Sequence, residues 1–211
     1  MPHDEPWQRL LHQATGLIED ASARLSTPIP WSLGGGTVLM LRLNHRRSKD
    51  IDAFLPDPQY LGLVNPRMSD AAQSLTSDYD ESAGHVKLFL PEGEIDFVVA
   101  APLTDEPFED AFVDGLSVRL ERSAEIIAKK FWHRGNLATA RDLFDLAAVS
   151  QSDPEAITTA MPFLTRHAEA FLAQLDSRQA VLGAEFAAID ALDFTLTYDE
   201  CASLARDILG N

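Results

Sequence analysis

Acidic side chains occur in two apolar segments of the sequence that are typical of strands. Asp50 and Asp52 flank Ile51 in the segment KDIDAF, and Asp96 lies in the later segment EIDFVV. Side chains two residues apart on a strand point to the same face, which holds the first pair close together. Neighbouring carboxylates repel each other unless a cation lies between them. Mg²⁺ prefers oxygen ligands, and carboxylates and substrate phosphates commonly bind the same Mg²⁺ ion. The three acids therefore predict a Mg²⁺ site that acts on a phosphate-containing substrate.

Three consecutive glycines, residues 34–36, precede the acidic pair. They follow a short predicted strand at 31–33 and open a predicted helix at 37–43, with Thr37 near its N-cap. Glycines before a helix leave backbone N–H groups free and allow a phosphate to approach closely. The spacing matches neither a P-loop nor the dinucleotide-binding fingerprint, because the required later residues are missing. The glycines thus indicate either an anion site or only a tight turn.

A third motif lies on a predicted helix in the second half of the chain. Asp142 and Asp145 are one helical turn apart, directly after Arg141, and Lys130 lies one helix earlier. These residues could form a structural network of ion pairs that joins helices, or a clamp on a triphosphate or a base edge. Lys87, in the strand before Asp96, could reach the acidic site.

The predicted elements change in kind near residue 122. Apolar residues at three- and four-residue steps predict an amphipathic helix from Trp7 to Leu25. Strands are predicted at 51–55, 85–90, 95–100, 112–113 and 116–120, and a polar connection with some helical potential at 71–75 spans 56–80. Helices are predicted at 123–133, with Ser123 as N-cap, and at 139–150, 154–163, 165–175 and 198–209. We therefore expect an α/β domain at 1–122 and a helical domain at 123–211.

Composition limits the class of protein. A chain of 211 residues with 45% hydrophobic residues can bury a substantial core, and no apolar run is long enough for a membrane span. The first residues, MPHDEPWQRLL, lack the basic and apolar regions of a signal peptide. The single cysteine, Cys201, excludes an internal disulfide and is typical of a reducing cytoplasm. We expect a cytoplasmic protein with no membrane contact.

The net charge of −16 argues against a nucleic-acid partner, but the basic residues are unevenly distributed. Most of them fall in two segments, 42–49 and 119–141, beside the candidate motifs. They could line a basic cleft on an acidic body or lie on unrelated solvated faces.

Three motifs, in order, resemble those of the polymerase-beta-like nucleotidyltransferases. GGTVLMLRLNHRRSKDIDAF resembles the first motif of the AbiEii/AbiGii toxin branch, and EIDFVV resembles its second acidic strand. EIIAKKFWHRGNLATARDLFDL resembles the later Glu…Lys…Arg-Asp-x-x-Asp motif. The resemblance covers Trp31 to Ala148 and departs from the family at Asn44, where glycine is usual. Asparagine tolerates a left-handed backbone, so this departure is mild.

The resemblance implies an α/β (α+β) fold, with a short mixed sheet in a nucleotidyltransferase core followed by a C-terminal helical bundle. It implies that Asp50, Asp52 and Asp96 are the catalytic acids and the Mg²⁺ ligands. Nucleotide-binding roles fall on Gly35, Gly36, Thr37, Arg46, Ser48, Lys130, Arg141, Asp142 and Asp145.

The resemblance further implies the toxin of a type IV toxin–antitoxin or abortive-infection system, paired with a separately encoded antitoxin. Its activity would be Mg²⁺-dependent transfer of NMP from an NTP to an RNA, such as tRNA, or to a protein hydroxyl. One alternative keeps the chemistry but makes the acceptor a small molecule such as an antibiotic. Another is a catalytically silent, NTP-binding partner subunit.

Overall fold

A computed structural model describes residues 5–210, which divide into two compact units. The first unit comprises residues 5–38, 48–101 and 108–121, and the second comprises 39–47, 102–107 and 122–210. Segments 39–47 and 102–107 thus belong to the helical unit, although they precede it in the sequence. The segment used to predict that there is no signal peptide includes residues 1–4, which lie outside the described residues.

The first unit is built on a seven-stranded mixed sheet, as the fold prediction required. In the order β3-β4-β5-β2-β1-β7-β6, only the pairs β2–β5 and β1–β7 are parallel. The strands are β1 (Ser32–Gly34), β2 (Ile51–Leu55), β3 (Tyr79–Glu81), β4 (His85–Leu90), β5 (Gly93–Val99), β6 (Phe108–Val113) and β7 (Leu116–Glu121).

Helix α1 (Pro6–Leu25) packs against β2 and β5. The unit also contains α3 (Leu61–Val64), α4 (Asp70–Leu75) and the first residues of α2 (Gly35–Leu43), which continues into the second unit. Residues of β2 and β5 alternate between buried and half-buried positions. Ile51, Ala53, Ile95 and Phe97 are fully buried on one face, and each of the three larger side chains contributes about 1.5–3 kcal/mol to folding. The same alternation places Asp52 and Asp96 on the opposite face.

The second unit consists mainly of packed helices. They are α5 (Ser123–Arg134), α6 (Ala140–Ser152), α7 (Pro154–Leu164), α8 (Ala168–Ser177), α9 (Gln179–Ala187) and α10 (Tyr198–Leu209). Helix α5 packs on α7, and α6 packs on α7, α9 and α10. Phe131, Phe144 and Phe171 are buried in this core, and the side chain of Thr139 caps α6. No helix within residues 5–210 has the length and apolar character needed to cross a membrane.

Several predicted boundaries were wrong. Helix α2 begins at Gly35, so Thr37 lies in its first turn, and Arg122 rather than Ser123 is the N-cap of α5. Helix α9 was not predicted, because its residues are almost continuously apolar and show no helical period. The short elements α3 and β3 were also missed, β6 begins at Phe108, and the segment 165–175 divides into a 3-10 turn followed by α8.

Candidate active site

Two of the three predicted acids meet on neighbouring strands of the first unit. Asp52 of β2 is directly in register with Asp96 of β5, and on its other side it is opposite Gly34 of β1. Adjacent strands lie about 4.8 Å apart, so paired residues project their side chains side by side on one face. Asp96 is in turn opposite Lys87 of β4. The sheet therefore carries a row formed by Gly34, Asp52, Asp96 and Lys87, which we call the acidic row.

Gly35 lies against the carboxylate of Asp52, and a side chain at residue 35 would overlap that carboxylate. A Cβ atom at Gly35 would overlap the Asp52 carboxylate and lie 2.9 Å from the Asp52 Cβ. The backbone also has φ of +70°, a conformation that L-residues other than glycine rarely adopt. Steric contact and backbone geometry thus both require glycine where β1 turns into α2.

We expect Gly35→Ala to abolish the transfer activity that the resemblance implies and to lower stability by about 2–3 kcal/mol, because left-handed backbone strain is combined with displacement of Asp52. Gly115→Ala is the matched control: Gly115 has φ of +81°, but a Cβ there meets nothing within 4 Å. The control isolates the backbone strain, about 1 kcal/mol. Thermal unfolding and transfer assays on both variants test this; equal losses in both would show that contact with Asp52 is unimportant.

Asp50 precedes β2 and is tied to the surrounding backbone. Its Oδ1 accepts a hydrogen bond from the backbone N–H of Glu94 at 3.0 Å. Its carbonyl oxygen accepts one from the Thr37 hydroxyl at 2.6 Å, and that hydroxyl lies 3.0 Å from the Ser48 Oγ. Thr37 is fully buried and Gly36 lies half-buried beside it in the first turn of α2. These contacts fix the segment that leads into the acidic row.

Lys87 is the cation of the acidic row. Its Nζ lies 3.2 Å from Asp96 Oδ2 and 3.0 Å from Glu94 Oε2. Burial would lower the pKa of Lys87, but hydrogen bonds to Glu94 and Asp96 and their negative charges outweigh burial and raise it. Lys87 is therefore protonated at neutral pH. The other oxygen of Asp96, Oδ1, is buried and has no hydrogen-bond partner among residues 5–210.

The carboxylates of the acidic row suit a hard cation whose coordination is completed by a substrate. Nowhere in residues 5–210 do three Asp, Glu, His or Cys side chains form a group that could hold a metal by themselves. Mg²⁺, however, is commonly bound by one or two carboxylates together with substrate phosphates and water. The in-register pair of Asp52 and Asp96 supplies two such carboxylates, and the unsatisfied Asp96 Oδ1 is an available oxygen.

Glu121, a buried acid at the end of β7, was not among the predicted site residues. It accepts a hydrogen bond from the Ser32 hydroxyl at 2.8 Å and is only 1% exposed. Its carboxylate lies over Gly34, where a Cβ atom would overlap it. The segment LSVRLE alternates apolar and polar residues and places Glu121 on the polar face, so the sequence carries no signal of its burial.

The second unit contains a buried ion-pair network around Asp145. Arg46 binds this carboxylate with two parallel hydrogen bonds, Nε to Oδ1 at 2.7 Å and Nη2 to Oδ2 at 2.8 Å. Lys130 Nζ lies 3.0 Å from Oδ2, and His45 Nε2 lies 2.8 Å from Oδ1. Burial would raise the pKa of Asp145, but the charges of Lys130 and Arg46 and the hydrogen bonds outweigh burial and hold that pKa well below its usual range.

Asp142 extends the same network. Its Oδ1 binds Lys130 at 2.9 Å and Arg134 at 2.7 Å, and its Oδ2 accepts a hydrogen bond from the Thr139 hydroxyl at 2.7 Å. Burial opposes ionisation, but Lys130 and Arg134 outweigh it and lower the pKa of Asp142. Arg141, between these acids and the preceding turn, is exposed. Of the predicted nucleotide-binding residues in α5 and α6, Arg141 alone is open to solvent.

Most of the clustered basic residues are already engaged by acids of the second unit. Arg46 and Lys130 belong to the Asp145 network, Arg47 binds Asp190 at 3.2 Å, and Lys129 binds Glu125 at 3.4 Å. The charge of each of these cations is already partly neutralised by its acid, which lowers its attraction for a nucleic acid. This pairing weakens the interpretation of the basic segments as a cleft for nucleic acid.

The sequence matches the family model described as nucleotidyl transferase AbiEii toxin, type IV TA system, over residues 22–208. The chain belongs to this family of nucleotidyltransferase toxins. That membership confirms the class of enzyme and the predicted family, and an antitoxin is the partner that such a system implies. No curated protein matches the chain.

Solved structures share the fold at low sequence identity. JHP933 from Helicobacter pylori has 16% identity and a TM-score of 0.53, covering 95% of this chain and 88% of its own. A proposed nucleotidyltransferase from H. pylori has 18% identity and a TM-score of 0.51, covering 95% and 92%. MenT4, a nucleotidyltransferase toxin from Mycobacterium tuberculosis H37Rv, has 19% identity and a TM-score of 0.44, covering 81% of this chain and 67% of its own.

Proposed function

We propose that this protein transfers NMP from an NTP to a hydroxyl acceptor in a Mg²⁺-dependent reaction, and that the acidic row is its catalytic site. The observation that carries the proposal is the in-register pair of Asp52 and Asp96, on the same sheet face and next to a glycine that no other residue can replace. In this proposal Asp52 and Asp96 hold the metal, and Asp50 holds the segment that leads into β2 through its hydrogen bond from the Glu94 backbone N–H.

The first turn of α2 supplies the second part of the site. The backbone N–H groups at the start of a helix have no partner within the helix and carry partial positive charge, so they bind phosphate. Gly35, Gly36 and Thr37 present this turn next to Asp52. We assign the β- and γ-phosphates of the NTP to this first turn of α2. The Ser48 hydroxyl, 3.0 Å from the Thr37 hydroxyl, supports the turn.

The chemistry is displacement at the α-phosphorus. The acceptor oxygen forms a bond to this phosphorus, the bond to the bridging oxygen breaks, and pyrophosphate leaves. The Asp96 carboxylate takes the proton of the attacking hydroxyl. When bound, Mg²⁺ supplies Lewis-acid stabilisation of the developing charge.

The second unit contributes to this function in two ways in our proposal. Arg141, to which the resemblance assigns a nucleotide-binding role, is exposed. Asp142 and Asp145 have their carboxylates enclosed by cations, so their role is to hold Lys130 and Arg46 in place rather than to contact the ligand.

The acceptor that we favour is an RNA, such as tRNA, or a protein hydroxyl, because the chain belongs to a toxin family. A small-molecule acceptor of the antibiotic type is the second candidate. It is favoured by the net charge of −16 and by the pairing of the basic residues with acids, both of which disfavour a polyanionic partner.

The test supplies the purified protein with Mg²⁺, one α-labelled NTP at a time, and total cellular RNA and protein. We expect label in one RNA or protein band, and none with the Asp50→Ala/Asp52→Ala double variant. Label in both samples would contradict the assignment of the acidic row. Absence of macromolecular label with wild type, followed by label on an added aminoglycoside, would favour the second candidate.

A further inference from the structure

Lys87 lies against the Asp96 carboxylate, which the proposed function assigns to the metal. Its ammonium group lies 3.2 Å from Asp96 Oδ2, and the two side chains are paired across β4 and β5. An ammonium at Oδ2 and a divalent cation on the same carboxylate repel each other, since both are positive. Lys87 therefore weakens metal binding for as long as it stays on Asp96.

Glu94 gives Lys87 a place to move to. It lies two residues before Asp96 on the same strand, hence on the same face, and its Oε2 is 3.0 Å from Lys87 Nζ. Lys87 already contacts both acids, and its side chain is 30% exposed, so a small rotation is sufficient to leave Asp96 for Glu94. Such a partly exposed pair is weak enough to exchange.

We propose that Lys87 is a built-in competitor for the metal at Asp96 and that Glu94 holds it once the metal has bound. In the metal-free protein Lys87 neutralises Asp96 and limits repulsion within the acidic row. Metal binding transfers Lys87 from Asp96 to Glu94. This pair of residues thereby tunes how tightly the site takes its cation, and the inference rests on the metal site of the proposed function.

The test measures the affinity for Mn²⁺ alone, by titration calorimetry and electron paramagnetic resonance, because carboxylate sites take Mn²⁺ as they take Mg²⁺. We expect Lys87→Met to bind Mn²⁺ about five- to tenfold more tightly, since the competing charge is gone. Arg24→Met, which removes an exposed cation of the same unit paired with Asp20 at 3.9 Å, is the control and should leave the affinity unchanged. Unchanged affinity in Lys87→Met would overturn the inference.

Glu94→Gln provides a test of opposite sign. Without Glu94, Lys87 stays on Asp96, so Mn²⁺ should bind several-fold more weakly. In a Lys87→Met background the same change should have little effect, because no lysine remains to be held. An equal loss in both backgrounds would show that Glu94 acts on the metal by itself, which contradicts the inference.

The metal site and the inference can fail separately. If the single variant Asp52→Asn binds Mn²⁺ as tightly as wild type, the metal assignment is wrong, and the Lys87 inference fails with it. If Asp52→Asn removes Mn²⁺ binding while Lys87→Met leaves it unchanged, the metal site stands and only the inference fails. Circular dichroism of each variant confirms that the fold is retained.

Discussion

Replacing Asp52 with asparagine is expected to lower nucleotidyl transfer about 10³-fold, equivalent to about 4 kcal/mol of transition-state stabilisation. The substitution keeps the shape of the side chain beside Gly35 but removes the charge that would hold the metal. Asp52 is half-buried and in register with Asp96, so no other position on β2 can supply that charge in the same place. The fold should be unaffected, because asparagine fits the same space.

The rate constant for label transfer and the thermal midpoint of Asp52→Asn should be measured beside those of Asp110→Asn. Asp110 is an exposed acid on β6 of the same sheet, so it controls for the loss of one negative charge. We expect the control to retain wild-type activity. Transfer by Asp52→Asn within tenfold of wild type would show that the acidic row is not the catalytic site.

Much of the acidic row could be predicted because it depends on local patterns. The segments around Asp52 and Asp96 are short and apolar with one acid each, which identifies both as strands with a charge on one face. The register that sets Asp52 beside Asp96 could not be predicted from the sequence. It joins strands about 44 residues apart in parallel, and such pairing is determined by tertiary packing rather than by local sequence.

The requirement for glycine at residue 35 has the same origin. The sequence shows that Gly35 precedes a helix, but the obstruction comes from the carboxylate of Asp52, 17 positions away on another strand. Likewise, the helical spacing of Asp142 and Asp145 was visible, while the partner of Asp145, Arg46, lies 99 residues away. The sequence shows which residues are charged. It does not show which of them pair with each other in the folded protein.

The second large effect concerns stability. We expect Asp145→Asn to destabilise the protein by about 3–5 kcal/mol, because Arg46 and Lys130 would keep buried charges without their carboxylate. That loss is a large part of the 5–15 kcal/mol that is typical of a folded domain. Denaturant unfolding of the full chain measures it. Asp176→Asn is the control in the same unit: its pair with Arg206, at 2.6 Å, is exposed, so the loss should not exceed about 1 kcal/mol.

The pH dependence has a defined sign. Because the pKa of Asp145 in the folded protein is below its usual value, ionised Asp145 stabilises the fold at any pH above about 4, the ordinary aspartate value. This contribution is lost as the pH falls from about 4 toward the folded pKa. Wild type should therefore lose stability below pH 4 more steeply than Asp145→Asn. Parallel curves for the two proteins would contradict the assigned ion pairs.

A charge-free replacement separates structure from function at this network. Replacing a buried ion pair with apolar residues of similar volume is often nearly neutral for stability, whereas removing one partner is not. Arg46→Met with Asp145→Leu should thus recover part of the stability lost in Asp145→Asn, because Arg46 no longer lacks a carboxylate and Lys130 keeps its pair with Asp142. If transfer returns with stability, the pair only supports the fold. If the double variant folds but stays inactive, Arg46 and Asp145 position groups that the reaction needs, and we expect this second result because both residues lie in motifs that resemble those of the nucleotidyltransferase family.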